Sequence, residues 1–317
     1  MGQPRARIGT VGYSYRDWAG IFYPPGTPPR RQFNIYAQNF DVCELTQFTH
    51  QMPDVERMTH FAAQIKTDLR LFVRIHNTFT HCGDIGLALT VAKHFRKAIE
   101  PLATEGKLAG LVAPFPYAFK NTPENREYIQ ALASALSFSD DNPMQLDFRH
   151  NSWFTEEALE WVTANGLGFV CVDEPSLPGL VPPAVVATAN RVLVRLHGRN
   201  AEAWWSGNPA TRYDYSYSVA ELADLRKRYD RLLGRSTEVS FLFQNNWQAQ
   251  SVANAHQWRQ LVAENDPARA LAPVADAAGD EESLAPPLSL PLAEVKSRVS
   301  RVFLSLQGSL NLPNRGE

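Results

Sequence analysis

The fold is decided by residues 69–115, where an apolar run, LRLFVRI (69–75), precedes LALTVAKHFRKAIEPLA (87–103) and a second apolar run, LAGLVAPF (108–115). Short runs rich in β-branched and aromatic residues are typical of buried strands, and the middle segment spaces its apolar residues as a helix does. A strand, a helix and a strand in this order favour a parallel sheet, because parallel strands need a crossover connection. Residues 69–115 therefore predict one β-α-β unit.

The same unit recurs along the chain. Strand candidates lie at residues 7–12, 40–45, 69–75, 108–115, 143–149, 167–173, 191–197 and 238–244. Helical signals lie at residues 53–65, 87–103, 122–136, 155–166, 218–233 and 248–264, several of them beginning near Pro, Ser, Thr or Asp. Eight such strands within about 260 residues predict an α/β protein with a single (β/α)8 TIM-type barrel. A doubly wound open sheet is the alternative.

The composition changes near residue 265. Residues 1–265 are the predicted TIM-type barrel domain, and residues 266–317 begin with a run rich in Ala, Pro, Asp and Glu that is typical of a linker. Within this extension, LAEVKSRVSRVFLSLQGSL (292–310) spaces apolar residues at helical intervals, which favours a short amphipathic helix. A partly ordered tail is the alternative.

The overall charge gives no signature of a polyanionic partner. The 317 residues include 31 Lys+Arg and 33 Asp+Glu, for a net charge of -2, so any anion site must be local. The three cysteines are widely spaced, which favours free thiols in a reducing compartment. The sequence shows no membrane span or leader, and we therefore expect a cytoplasmic protein without membrane contact.

Polar side chains follow the end of nearly every predicted strand. The run VLVRLHGRN (192–200) places Arg195, His197 and Arg199 two residues apart, and a strand would turn all three to one face. Functional groups of TIM-type barrels lie at the carboxyl ends of the strands, so we expect these side chains to meet in the barrel mouth. The strand ends supply Tyr13, Trp18, Glu44, Arg74, His76, His81, Asp147, Arg149, His150, Asp173, Arg195, His197, Arg199, Asn245 and Asn246.

Several motifs together resemble the domain-of-unknown-function-72 (YecE-like) family. They are IGTVGYSYRDWAGIFYP, VCEL, FRHNSWF, CVDEPSLPG, VRLHGRN with a following Trp-Trp pair, YDYSYSVAEL and an Asn-Asn pair, in this order between about residues 7 and 260. The resemblance implies a TIM-type barrel and brings no settled activity with it. The positions that match the family's recurrent residues are Trp18, Glu44, His81, Arg149, Trp153, Asp173, Arg195, His197, Arg199 and Asn246.

The chain also departs from the family pattern. It has Thr46, Arg74, Pro114, Asp147 and Gln244 where relatives tend to have Asn, Lys, Gln, Glu and Phe. Several of these positions fall in the predicted mouth. The departures therefore indicate a substrate, or an activity, that differs from that of typical members.

The leading hypothesis is a hydrolase or other enzyme acting on an anionic small molecule that bears phosphate or carboxylate. Arginines would bind the anion, and a His–carboxylate pair would supply general acid–base chemistry. The catalytic candidates are Glu44, His81, Asp173 and His197. The substrate-binding candidates are Tyr13, Trp18, Arg74, Arg149, Trp153, Arg195, Arg199 and Asn246. We expect phosphate or a carboxylate to raise the thermal midpoint, and Arg195→Ala with Arg199→Ala to abolish that rise.

Two alternatives assign the same charges differently. Three acids, Glu44, Asp147 and Asp173, balance three arginines on the strands, which is also what a purely structural ion-pair belt requires. A divalent cation between these acids and His197 is the other alternative, although the arginines would compete for the carboxylates. We predict no cofactor and no resident metal.

Two further classes remain open at this stage. Tryptophans and tyrosines near the strand ends, including Trp204 and Trp205, could stack bases in a protein that processes single-stranded nucleic acid. A non-catalytic barrel that only binds its ligand is the other class, and the departures at Thr46 and Pro114 favour it. The sequence therefore leaves open whether the protein is an enzyme.

Overall fold

A computed structural model describes residues 5–81, 83–139, 141–233 and 236–265. Over these residues, parallel strands form one sheet in the order β6-β5-β4-β3-β2-β1-β9-β8-β7. They are β1 (Arg5–Val11), β2 (Val42–Leu45), β3 (Arg70–Arg74), β4 (Leu108–Pro114), β5 (Met144–Asp147), β6 (Gly168–Phe169), β7 (Cys171–Asp173), β8 (Arg191–Leu196) and β9 (Glu238–Phe243). The sheet curls into a nearly closed barrel, which confirms the predicted α/β barrel.

The two end strands of the sheet, β6 and β7, are the halves of one barrel strand. Only Val170 separates them in the chain. β6 pairs with β5, and β7 pairs with β8. The Val170 N–H donates to the Leu146 carbonyl at 3.0 Å, so the interruption also stays attached to β5. The nine strands thus occupy eight barrel positions, and the single strand predicted at residues 167–173 is divided.

Helices cover the outside of the barrel. They are α1 (Pro29–Asn39), α2 (Val55–Gln64), α3 (Ile85–Thr104), α4 (Pro123–Leu136), α5 (Glu156–Ala164), the one-turn α6 (Pro209–Arg212), α7 (Val219–Leu233) and α8 (Gln250–Asn265). Asp54, Asp84, Thr122 and Thr155 cap α2 to α5, each accepting a backbone N–H of the first turn. None of the described helices is long and apolar enough to cross a membrane.

The connection from β7 to β8 has no helix, unlike the other connections of the barrel. Residues 174–190 carry prolines at positions 175, 178, 182 and 183, which cannot donate the hydrogen bonds of a helix interior. The segment instead packs against β6, where the Thr188 hydroxyl accepts the Phe169 N–H at 2.8 Å and donates to the Leu167 carbonyl at 2.9 Å. The predicted extension at residues 266–317, with its linker and amphipathic helix, lies outside the described residues.

Candidate functional site

Arg195 on β8 lies at the centre of a buried group of charges inside the barrel. Its side chain is fully buried, and its guanidinium donates to Asp147 on β5 and to Glu44 on β2, the latter at 3.3–3.4 Å. Both carboxylates are fully buried as well. Because these residues come from strands on different sides of the barrel, the ion pairs cross its interior.

Two more arginines join this group from above. Arg74 donates from Nε to Glu44 Oε1 at 2.7 Å, and Arg149 donates to Asp147 Oδ2 at 3.2 Å and to a further carboxylate at 3.2 Å. That further carboxylate belongs to Glu174. We call the whole set the buried ion-pair cluster, which comprises Glu44, Arg74, Asp147, Arg149, Glu174 and Arg195.

Glu174 joins the cluster in place of the predicted Asp173. Val172 on β7 pairs with Arg195, and neighbouring residues in register point to the same side of a sheet. Glu174, two residues further on, therefore continues on the inner face. Burial raises the pKa of Glu174 to about 7, with Arg149 opposing the shift. One oxygen of this carboxyl, Oε1, is buried and has no hydrogen-bond partner among the described residues.

His197 is fully buried beside the cluster. Its ring lies 6.0 Å from the Trp204 ring and 6.1 Å from the Tyr213 ring, centroid to centroid. Burial, and then the positive charges of Arg149 and Arg195, lower the pKa of His197 well below its usual range. Both ring nitrogens are buried, and no carboxylate of the described residues binds them.

Asp173 and Arg199 bind each other away from the cluster. The Arg199 guanidinium donates two hydrogen bonds of 2.8 Å to the carboxylate, and the Tyr217 hydroxyl donates a third of 2.8 Å. The same hydroxyl accepts the Gly198 N–H at 2.9 Å. Gly198 has φ +84°, which ends the strand geometry before Arg199. The three basic residues of VLVRLHGRN therefore do not share one face.

A cavity of about 390 Å³ opens above the cluster at the carboxyl ends of the strands. Its cationic lining consists of Arg74, Arg149 and Arg212, with His50 and His81 beside them. No Asp or Glu of the described residues lines it. The remaining lining residues are Thr49, Asn77, Pro114, Phe115, Pro116, Tyr117, Leu180, Trp204, Trp205 and Tyr213. The acids of the barrel interior thus lie behind the arginines, and the cavity itself is basic and aromatic.

The structure distributes the predicted site residues over several places. Arg74, His81 and Arg149 line the cavity. Glu44, Arg195 and His197 are fully buried and do not line it. Asp173 and Arg199 form the separate pair described above. The predicted pairing of a histidine with Glu44 or Asp173 therefore has no counterpart, because those carboxylates are bound by arginines.

The predicted aromatic and amide candidates make contacts within the protein and lie away from the cavity. Trp18 is fully buried and donates to the Asn246 carbonyl at 2.9 Å, while the Asn246 amide donates to the Val11 carbonyl at 3.1 Å. Trp153 is fully buried against Phe148, with ring centroids 4.1 Å apart. The Tyr13 ring packs edge-on against Phe33 at 5.0 Å. None of these four candidates lines the cavity.

Arginines bind the three carboxylates that the sequence offered as cation ligands, Glu44, Asp147 and Asp173. Within the described ranges, no group of three or more His, Cys, Asp and Glu side chains is placed to hold a metal ion. Two of the three cysteines, Cys43 and Cys171, are buried free thiols, and burial raises the pKa of Cys171 to about 12. Cys82 lies outside the described residues.

Sequence reasoning missed four residues of this region. Glu174 was detectable from the alternation in CVDE once Val172 is placed opposite Arg195. Tyr117, Arg212 and His50 lie in loops or in the one-turn α6, where no periodicity marks a side chain's direction. Trp205 was considered only as a base-stacking residue, and it does line the cavity.

Comparison with known proteins agrees with the motifs. A model of the family "Protein of unknown function DUF72" matches residues 7–277. The UPF0759 protein YunF of Bacillus subtilis (strain 168) is 27% identical over 270 residues, which cover 80% of this chain and 94% of the relative. A DUF72 protein structure from Thermotoga maritima is 30% identical with a TM-score of 0.71, covering 81% of this chain and 99% of that one. One from Enterococcus faecalis is 23% identical with a TM-score of 0.74, covering 87% and 100%. This chain therefore belongs to the DUF72 family.

Proposed function

We propose that the cavity binds an anionic small molecule that bears phosphate or carboxylate. The observation that carries the proposal is the lining, which has three arginines and two histidines and no acid among the described residues. Guanidinium groups bind such anions with two parallel hydrogen bonds and stay charged at any physiological pH.

The arginines are held ready for such a ligand. Arg74 donates to Glu44 through Nε alone. The two terminal nitrogens of its guanidinium have no acceptor among the described residues. Arg212 donates once, to the Gly207 carbonyl at 3.3 Å. Carboxylates behind Arg74 and Arg149 fix the direction of these two side chains before the ligand arrives, which lowers the entropy cost of binding.

The geometry favours binding over catalysis. Of the predicted catalytic residues, His81 lines the cavity, and its Nδ1 contacts its own neighbour Thr80 at 2.7 Å. Glu44 and His197 lie behind the lining. A hydrolytic mechanism would have His81 as its base without a carboxylate to orient it. The non-catalytic ligand-binding barrel therefore fits the geometry better than the hydrolase does.

The test compares the thermal midpoint with and without inorganic phosphate in the wild type and in Arg74→Gln/Arg212→Ala. Glutamine at position 74 keeps a donor for Glu44 while the charge is lost. Hydrogen bonds to charged groups contribute about 1.5–3 kcal/mol, so we expect the variant to bind phosphate about 10–100-fold more weakly and to lose the phosphate-dependent rise in Tm.

The matched control is Arg30→Ala, which removes an exposed arginine of α1 that does not line the cavity. Phosphate also raises the Tm of proteins in general, because it is excluded from their surface. The quantity to compare is therefore the difference between the proteins in their phosphate-dependent rise in Tm. An equal rise in all three proteins would contradict the proposed function.

A further inference from the structure

Two exposed aromatic side chains meet at the rim of the cavity. The Trp205 residue is 56% exposed and Tyr117 is 37% exposed, and their ring centroids lie 5.3 Å apart at an interplanar angle of 77°. Both line the cavity. They come from the loops after β4 and β8, which are not neighbours in the sheet. Exposed apolar side chains that touch inside a concave site are typical of ligand binding.

The position of Tyr117 is supported from behind. Its ring lies 4.9 Å from the His150 ring, and its hydroxyl lies where a side chain on Gly179 would be, 2.1 Å from the site of a Cβ atom. Gly179 also has φ +83°, a conformation that residues with a side chain rarely adopt. Glycine at position 179 therefore both allows the backbone conformation of the loop after β7 and leaves space for the Tyr117 hydroxyl.

The cavity is larger than an inorganic anion needs. Its volume is about 390 Å³. Phosphate has five non-hydrogen atoms, and pockets of roughly 300–1,000 Å³ hold organic ligands. An anion bound by Arg74 and Arg149 would leave most of this space, and the aromatic rim, unused.

We propose that the ligand carries a planar ring attached to its anionic group, and that Trp205 and Tyr117 bind this ring while the arginines bind the anion. This inference rests on the proposed function. The side chains of Arg74 and Arg149 are 17% and 19% exposed, so the cationic end of the site lies deeper than the aromatic end. A ligand of this kind enters with its charge first and its ring at the rim.

Two sources share this chemistry, nucleoside monophosphates and aromatic carboxylic acids. Single-stranded nucleic acid is disfavoured, because a strand is held by a positively charged groove that tracks its backbone. Arg74, Arg149 and Arg212 converge inside one cavity, and the chain carries a net charge of -2. The site therefore fits one ring and one anion.

The experiment measures binding to the full-length protein by calorimetry with two matched pairs of probes. Adenosine monophosphate is compared with ribose phosphate, and indoleacetate with acetate. We expect the ring-bearing member of at least one pair to bind about tenfold or more tightly than its ring-free partner, since stacking one ring contributes about that factor. The preferred pair identifies the source of the ligand.

The same titrations with the Trp205→Ala variant test whether the ring of the ligand binds at Trp205. We expect this variant to lose about tenfold in affinity for the ring-bearing probe and to keep the wild-type affinity for inorganic phosphate. Trp205 is largely exposed, so its removal leaves the core intact. Trp247→Ala is the matched control, because Trp247 is 36% exposed and does not line the cavity.

Four results would overturn the inference. Equal affinities within both pairs, or equal losses for phosphate and the ring-bearing probe in Trp205→Ala, would reject the ring while leaving the proposed anion site standing. A short oligonucleotide that binds more than tenfold more tightly than adenosine monophosphate would assign the site to nucleic acid. Failure of every anion to bind would reject the proposed function together with the inference.

Discussion

Replacing Arg195 with alanine is expected to lower the free energy of unfolding by about 3–5 kcal/mol, measured by urea denaturation monitored by circular dichroism. Arg195 is fully buried and donates to Asp147 and Glu44, which are themselves fully buried. Alanine removes the shared cation from between two carboxylates that water cannot reach. Glu44 and Asp147 then keep one arginine each, Arg74 and Arg149. The loss reflects the buried carboxylate oxygens that Arg195 no longer binds, a penalty much larger than the net stabilisation that its ion pairs provide.

The control for this prediction is Arg30→Ala. Arg30 is an exposed residue of α1, so its loss should change the free energy of unfolding by less than about 1 kcal/mol. An equally small change for Arg195→Ala would contradict the prediction.

A second variant covers the case in which Arg195→Ala does not fold. Arg195→Met combined with Glu44→Gln and Asp147→Asn removes the cation and both anions together. Replacing a buried ion pair by neutral groups of similar volume is often close to neutral for stability, so we expect this variant to be more stable than Arg195→Ala. The amide oxygens of glutamine and asparagine remain acceptors for Arg74 and Arg149. A greater stability than that of Arg195→Ala would show that the penalty comes from the two carboxylates that Arg195 binds.

The fold could be predicted from the sequence because each barrel strand is buried on both sides and its sequence is therefore an apolar run. The division of the sixth strand at Val170 could not be predicted. LGFVCVD is apolar up to its last residue, and its sequence does not distinguish the residues that pair with β5 from those that pair with β8. Helix α1 (Pro29–Asn39) was missed as well. Its sequence, PRRQFNIYAQN, has only a few apolar residues to mark a periodic face.

The candidate site was predictable only where strand geometry persists. Alternation along β2, β5 and β8 correctly brings Glu44, Asp147 and Arg195 to the inside of the barrel. It fails beyond Gly198, where a positive φ redirects the chain and takes Arg199 to Asp173. The rim of the cavity is built from loops, in which the direction of a side chain depends on contacts that are distant in sequence.

Glu174→Gln is expected to change how stability depends on pH. The pKa of Glu174 is raised to about 7 by burial, above the ordinary value of 4.5, so the folded protein holds this proton more tightly than the unfolded chain does. The stability that Glu174 contributes is therefore fully present below about pH 4.5 and is lost as the pH rises through about 7. The difference between these values corresponds to about 3 kcal/mol.

Glutamine keeps the shape of the protonated acid and does not ionise. At pH 5 we expect Glu174→Gln and the wild type to have similar free energies of unfolding, and at pH 9 we expect the variant to be more stable by up to about 3 kcal/mol. Buried histidines act in the opposite sense, since burial lowers the pKa of His197 and of His256 and stability is lost as the pH falls. These contributions are common to both proteins and cancel in the difference.

The measurement is urea unfolding of both proteins at pH 5 and pH 9, with Glu157→Gln as the matched control. The Glu157 side chain is 79% exposed in its pair with Arg126, so its replacement should change stability by less than about 1 kcal/mol at either pH. A variant at position 174 that is less stable than the wild type at pH 9 would show that the ionised carboxylate stabilises the protein through Arg149.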